Sequence, residues 1–344
     1  MTATTATTAT TATRIASAGR PPGAGRGLAW FVRRQHRTAA WIALAVLAAL
    51  CAELVWLRGA MTGYVAEHGL AATCSKDDCA AYAAAAEGFR LRYGGYLGYN
   101  VLLLEFLPVL AGMFVAGPVI ARELESGTYK VAWTQSVSPL RWFAAKLGLP
   151  LAALLVGASV LSAVFTWTWR PVGHLDDGRL VDGSRWYEAF DALGPAPAAG
   201  VLFGAVLGAL TGLLVKRTLP AMAVTAFACV LLYWPLTTVR PYLADPVTAT
   251  RTTYLEVRPS GGMDSWNYER GTITASGGRL PGTDCHMAHV PTECLARHGG
   301  AGYYVDYHPA AHFQRLEWAQ AGLVTAAACA CAAGALWRMR RLGG

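Results

Sequence analysis

Residues 39–57 read AAWIALAVLAALCAELVWL, nineteen residues with one charge, Glu53. As an α-helix at about 1.5 Å per residue this stretch covers roughly 28 Å, close to the ~30 Å hydrocarbon core of a bilayer. Similar runs recur at 101–121, 147–169, 196–215, 219–239 and 316–337. Six spans of this length predict an all-α, polytopic membrane protein.

Composition agrees. Hydrophobic residues make up 54% of the 344 residues and charged residues 15%. A soluble domain carries about 25% charge, which argues against a soluble enzyme. A chain this apolar is also not disordered as a whole. The net charge of +8 would suggest nucleic acid in a soluble protein. In a membrane chain the placement of the charge matters more, and no nucleic-acid partner is expected.

Placement sets the orientation. With the N-terminus inside, the inner segments 1–38, 122–146, 216–218 and 338–344 hold fifteen basic and two acidic residues. The outer segments 58–100, 170–195 and 240–315 hold fourteen basic and sixteen acidic residues over about twice the length. The positive-inside rule then puts both termini in the cytoplasm and the long 240–315 loop outside.

Three regions follow. Residues 1–26 form a Thr/Ala- and Gly/Pro-rich tail, expected to be disordered. Residues 27–337 form the six-span transmembrane domain, and 338–344 a short cytoplasmic tail. Within the second region, 27–37 (GLAWFVRRQHR) mixes apolar and basic residues. It reads either as a helix on the inner membrane surface or as a basic flank that fixes topology.

The chain lacks the Gly-Lys-Ser/Thr of a phosphate-binding loop, H-E-x-x-H and G-x-S-x-G. Catalytic residues are not expected, and any energy must come from another chain or an ion gradient. Glu53 and Glu105 fall within spans, where a charge is costly, so they are candidates for a polar translocation path. Glu317 lies at the lip of the last span and reads as an interfacial carboxylate. Gly200, Gly204, Gly208 and Gly212 share one helical face, a spacing that lets two helices approach closely. Cys74 with Cys79 and Cys285 with Cys294 lie in outer loops and are candidate disulfides. The latter pair sits near His286, His289 and His298, but the spacing matches no standard zinc set and no metal site is expected.

The inner loop after the second span is the most informative stretch: 122–146, RELESGTYKVAWTQSVSPLRWFAAK. It holds R-E-x-E-x-G-T at Arg122, Glu123, Glu125, Gly127 and Thr128. W-T-Q-S-V-S follows, with Trp133 and Gln135, then Arg141-Trp142. Tyr307-His308-Pro309, Phe313 and Glu317 precede the last span. This pattern resembles the membrane subunits of ATP-binding-cassette exporters, the ABC type-2 permease family, and most its high-GC bacterial branch. Where that branch usually has Phe-Trp, this chain has Phe313-Gln314.

The resemblance implies six spans with both termini inside, a surface helix before the first, and residence in the bacterial plasma membrane. It implies a dimer with a second copy or a paralogue. It also implies a separate ATPase subunit, holding ATP and Mg, that docks on the 122–146 loop; this chain would bind no cofactor itself. Arg122, Glu123, Glu125, Gly127, Thr128, Trp133, Gln135 and Arg141 then become the coupling residues. The expected cargo of such an exporter is a drug, peptide or lipid-like molecule. A non-transport sensor or immunity protein, binding a ligand through the outer loops, is the alternative raised by the length of 240–315.

Overall fold

The computed structural model describes residues 24–71, 79–134, 138–173, 185–252, 265–282, 285 and 291–343. Residues 1–23, most of the expected tail, lie outside these. Among the described residues six helices are long and apolar enough to cross a membrane: Arg37–Glu67, Cys79–Ser126, Pro139–Trp169, Ala196–Val215, Thr218–Leu243 and Ala310–Arg341.

The first span belongs to α1 (Ala24–Glu67). The second is α2 (Cys79–Leu110), a π-helical segment (Ala111–Ala116) and α3 (Gly117–Ser126) in one continuous rod. A short α4 (Tyr129–Thr134) follows, then α5 (Pro139–Trp169). The tight hairpin α6 (Ala196–Val215) and α7 (Thr218–Val239) turns at Lys216, which adopts φ +57°.

α6 is the centre of the bundle: 67% of its apolar stretch is buried, against 11% for α1. Its glycine face makes this possible. A Cβ on Gly204 would stand 2.0 Å from the Pro108 carbonyl oxygen, and one on Gly208 2.4 Å from that of Gly112. Gly200 abuts Pro108 and Tyr233, and Gly212 abuts the Gly117 carbonyl. The glycines therefore serve packing within the chain, against the π-helical part of the second span. On another face, Ala199, Phe203 and Leu207 meet Ala321, Val324 and Ala328 of α9 (Phe313–Gly343).

Three features differ from the sequence expectation. The 27–37 stretch is not a separate surface helix; it continues into the first span without a break, since nothing between Ala24 and Ala39 stops a helix. The 58–100 segment is largely helical as well. α1 and α2 are far longer than a bilayer needs and project beyond it, where Met61, Tyr64, Phe89, Tyr93 and Leu97 pack together. Finally, the 338–344 tail carries the last turns of α9, which ends at Gly343.

The 240–315 segment adds a small antiparallel sheet to the helical bundle. Its order is β1 (Val247–Arg251), β4 (Gly300–Pro309), β2 (Ser265–Thr274), β3 (Arg279–Pro281), with α8 (Pro291–Arg297) before β4. Register pairs Val247 with Tyr307 and Gly271 with Tyr304. Tyr303 through His308 are all buried, so both faces of the central strand are covered. Span-length hydropathy does not register strands this short.

Candidate functional site

At the end of the bundle that carries the 122–146 loop, α3 stops because Gly127 takes the left-handed conformation at φ +73°, which a glycine adopts without strain. α5 starts at Ser138, whose hydroxyl accepts the Arg141 N–H, with Pro139 in the first turn. Between them α4 packs by its aromatic residues. Trp133 lies edge-on to Tyr129 at 4.7 Å and to Trp142 at 6.3 Å. Trp142 is buried with Ile120, Leu213, Ala335 and Met339, so α4 rests on a cluster shared by α3, α5, α6 and α9.

Two glutamates tie the loop to other spans. Glu123 pairs with Lys146, whose side chain is only 8% exposed. Glu125 Oε2 accepts the Thr218 N–H at 2.9 Å and the Thr218 hydroxyl at 2.6 Å. The N-cap residue of α7, Arg217, makes no side-chain cap, so Glu125 caps that helix from the neighbouring loop. Both carboxylates thus have partners within the chain, Glu123 half-buried and Glu125 exposed. The exposed charged groups of the loop are Arg122, Glu125, Lys130 and Arg141, with Val131 exposed beside them. Thr128 bonds back to Ser126 and the Glu123 carbonyl. Gln135 lies outside the described residues. Sequence reasoning passed over Lys146 and Thr218 as partners; Lys146 lies two turns into α5 and Thr218 opens α7.

At the opposite end the spans carry a buried polar network. Asn100 Nδ2 donates to both Glu53 oxygens at 3.3–3.4 Å and to the Tyr96 carbonyl. Arg240 donates to Asp191 at 2.5 Å and to Gln320 at 2.8 Å, while Gln320 donates to the other Asp191 oxygen. Arg240 also sits 4.3 Å over the Phe190 ring. This triad joins the 3₁₀ turn Phe190–Ala192, the end of α7 and the start of α9. Glu105 lies within electrostatic reach of Asp191 and Arg240. Glu317, expected at the lip, is 4% exposed, with its carboxylate packed against Gly194. Asp191, Arg240 and Gln320 were missed by the sequence reading. The available signals were a polar residue one turn beyond Glu317 and an arginine ending the fifth apolar run.

The sheet docks on this end through aromatic contacts. Trp186 meets Phe190, Trp266 and Phe313 with ring centres 5.6–6.4 Å apart. His308 is fully buried; its Nε2 donates to the Pro241 carbonyl at 2.9 Å, so its Nδ1 accepts from His312 Nδ1 at 3.1 Å. Burial, then His312, hold the His308 pKa below the ordinary histidine value, partly opposed by the Pro241 bond. Tyr304, buried and donating to Glu269, is pushed up.

Cys285 and Cys294 form a disulfide. Cys79 is also disulfide-bonded, while Cys74 lies outside the described residues. His298 stands beside the Cys285–Cys294 pair, but sulfurs bonded to each other offer no thiolates to a metal. Cys51, Cys229, Cys329 and Cys331 are free thiols on the spans.

A sequence model of the family described as "ABC-2 membrane transporter related" matches residues 44–240, more than half of the chain. No curated protein and no solved structure matches. The matched stretch runs from the first span through the fifth and contains the inner loop and its two carboxylate ties.

Proposed function

The chain belongs to the ABC-2 membrane transporter related family and is a multi-pass permease of that type; from this premise we propose that it couples transport to a separate ATP-binding-cassette ATPase through the loop between α3 and α5. The observation that carries the reading is the pair of ties Glu123–Lys146 and Glu125–Thr218 around an aromatic-anchored α4. A partner pressing on α4 moves a unit already fastened to α3, α5 and α7, so its stroke reaches several spans at once.

In this reading Arg122, Lys130 and Arg141 meet acidic groups of the ATPase. Glu123, Glu125 and Gly127 hold the loop's shape. ATP and Mg reside on the partner, and this chain does no chemistry. Both termini and the α3–α5 loop face the cytoplasm of a bacterial cell, and the sheet faces outward. The oxidised cysteines near the sheet support that side, since disulfides persist outside the cytosol. The working unit is a dimer with a second copy or a paralogue, exporting a drug, peptide or lipid-like molecule past Glu53 and Glu105.

Co-purification tests this. The intact permease should retain a co-expressed cassette ATPase, and Arg122→Glu/Arg141→Glu should lose it at equal expression. Retention of the ATPase by that variant would remove the docking assignment.

A further inference from the structure

A groove of about 430 Å³ runs along the surface of the bundle between α5 and the start of α6. Ser159, Ala163, Trp167 and Arg170 line its α5 side, and Gly194 and Ala198 its α6 side. The α5 residues lie at spacings of four, four and three, so they form one continuous helical face. All four are exposed. The Gly194 N–H bonds to Thr166 Oγ1, which pins the two walls together at one end.

This face belongs to a membrane span, so hydrocarbon bathes its deeper part. The groove also has a polar end. Trp167 and Arg170 close α5 at the level where aromatic and basic residues anchor spans to head groups. Arg58 of α1 sits 4.0 Å over the Trp167 ring and donates to the Trp167 carbonyl. Arg170 makes no ion pair among the described residues. Among the described residues no acidic side chain lines the groove; the carboxylate of Glu317 lies against Gly194 and is itself buried. Small side chains leave room for an acyl chain below, and the Arg170 guanidinium stands at the rim above.

We propose that this groove binds one anionic phospholipid, its phosphate held at Arg170 and an acyl chain lying along Ser159 and Ala163. The site requires only that the chain spans a bilayer and does not depend on the ATPase assignment. One rim arginine acting on an anionic head group should give roughly fivefold preference over a zwitterionic one.

The test is native mass spectrometry of the purified full chain, exchanged into detergent with phosphatidylglycerol or phosphatidylcholine. The unaltered protein should retain one phosphatidylglycerol with about fivefold preference. Arg170→Gln should flatten that preference while keeping a lipid. Ala163→Trp, which fills the groove, should lose the bound lipid, and Val230→Trp on an exposed face of α7 should keep it. Equal retention of both lipids by the unaltered protein overturns the proposal. So does unchanged phosphatidylglycerol retention in Arg170→Gln and Ala163→Trp. If Ala163→Trp instead converts a dimer to a monomer without loss of lipid, the face belongs to a second copy and the lipid site falls.

Discussion

One carboxylate oxygen of Glu125 accepts both the backbone N–H and the hydroxyl of Thr218, 93 residues further along the chain. The last turn of α3 thereby caps the start of α7. Glu125→Ala leaves the first turn of α7 uncapped, since Arg217 offers no side-chain bond. Loss of a cap costs about 1 kcal/mol. The thermal midpoint in detergent should fall by only a few degrees, and Thr218→Val combined with Glu125→Ala should fall little further. Additive losses would show that the two side chains do not act on each other.

The glycine face of α6 is the least tolerant surface of the bundle. Gly204→Ala drives a methyl into the Pro108 carbonyl and Gly208→Ala into that of Gly112, both backbone atoms that cannot swing aside. Overpacking of this kind costs about 1–3 kcal/mol or more. Gly98→Ala, where a Cβ meets nothing within 4 Å, should be neutral or stabilising. Thermal midpoints from fluorescence-detected size-exclusion chromatography separate the three. Equal midpoints for Gly204→Ala and Gly98→Ala would contradict the close approach.

Arg240 is held by Asp191 and Gln320 with almost no solvent contact. Arg240→Met leaves the Asp191 carboxylate without its countercharge, held by Gln320, and breaking such a buried pair costs about 3–5 kcal/mol. The double variant Arg240→Met/Asp191→Leu removes both charges and should regain a large part of the loss. A midpoint for the double variant at or below that of Arg240→Met would show that the pair is not coupled.

Acid should loosen the junction of the sheet and the spans. The folded His308 pKa lies below the unfolded value near 6.5 because burial and the neighbouring His312 disfavour its cation. Above 6.5 the imidazole is neutral in both states and contributes no pH dependence. As pH falls below 6.5 the unfolded chain takes up a proton that the folded chain resists, so stability declines until the folded pKa is passed. The groups facing His308 are the Pro241 carbonyl, His312, Trp266 and Tyr268. The midpoint should drop between pH 7.5 and 5.5, and His308→Gln should flatten that slope. An identical slope in the variant would place the acid sensitivity elsewhere.

The bundle was legible because a bilayer demands long apolar runs, and the run at 39–57 already carries that requirement. The glycine face at 200–212 was legible for the same reason, since period four on a helix names a surface. The sheet was not. Strands such as Val247–Arg251 are short and bounded by irregular chain, and Tyr303–His308 is buried on both faces, which erases alternation. The 122–146 loop was legible as a motif but not as a geometry. The ties of Glu123 and Glu125 were not readable because their partners, Lys146 and Thr218, come from other segments. The triad of Asp191, Arg240 and Gln320 was hidden likewise, one member in each of three segments.

The central claim is that the α3–α5 loop carries the stroke of a partner ATPase into the spans, and Glu125→Lys tests it most directly. The substitution puts a cation at the N-terminus of α7 and beside Arg217, breaking the tie without touching the outward-facing Arg122, Lys130 and Arg141. The measurement is ATPase activity of the reconstituted complex with its cassette subunit, at matched expression and matched ATPase retention. The account predicts that the variant still binds the ATPase but loses most of the permease-dependent activity. Normal retention with full coupled activity would contradict it.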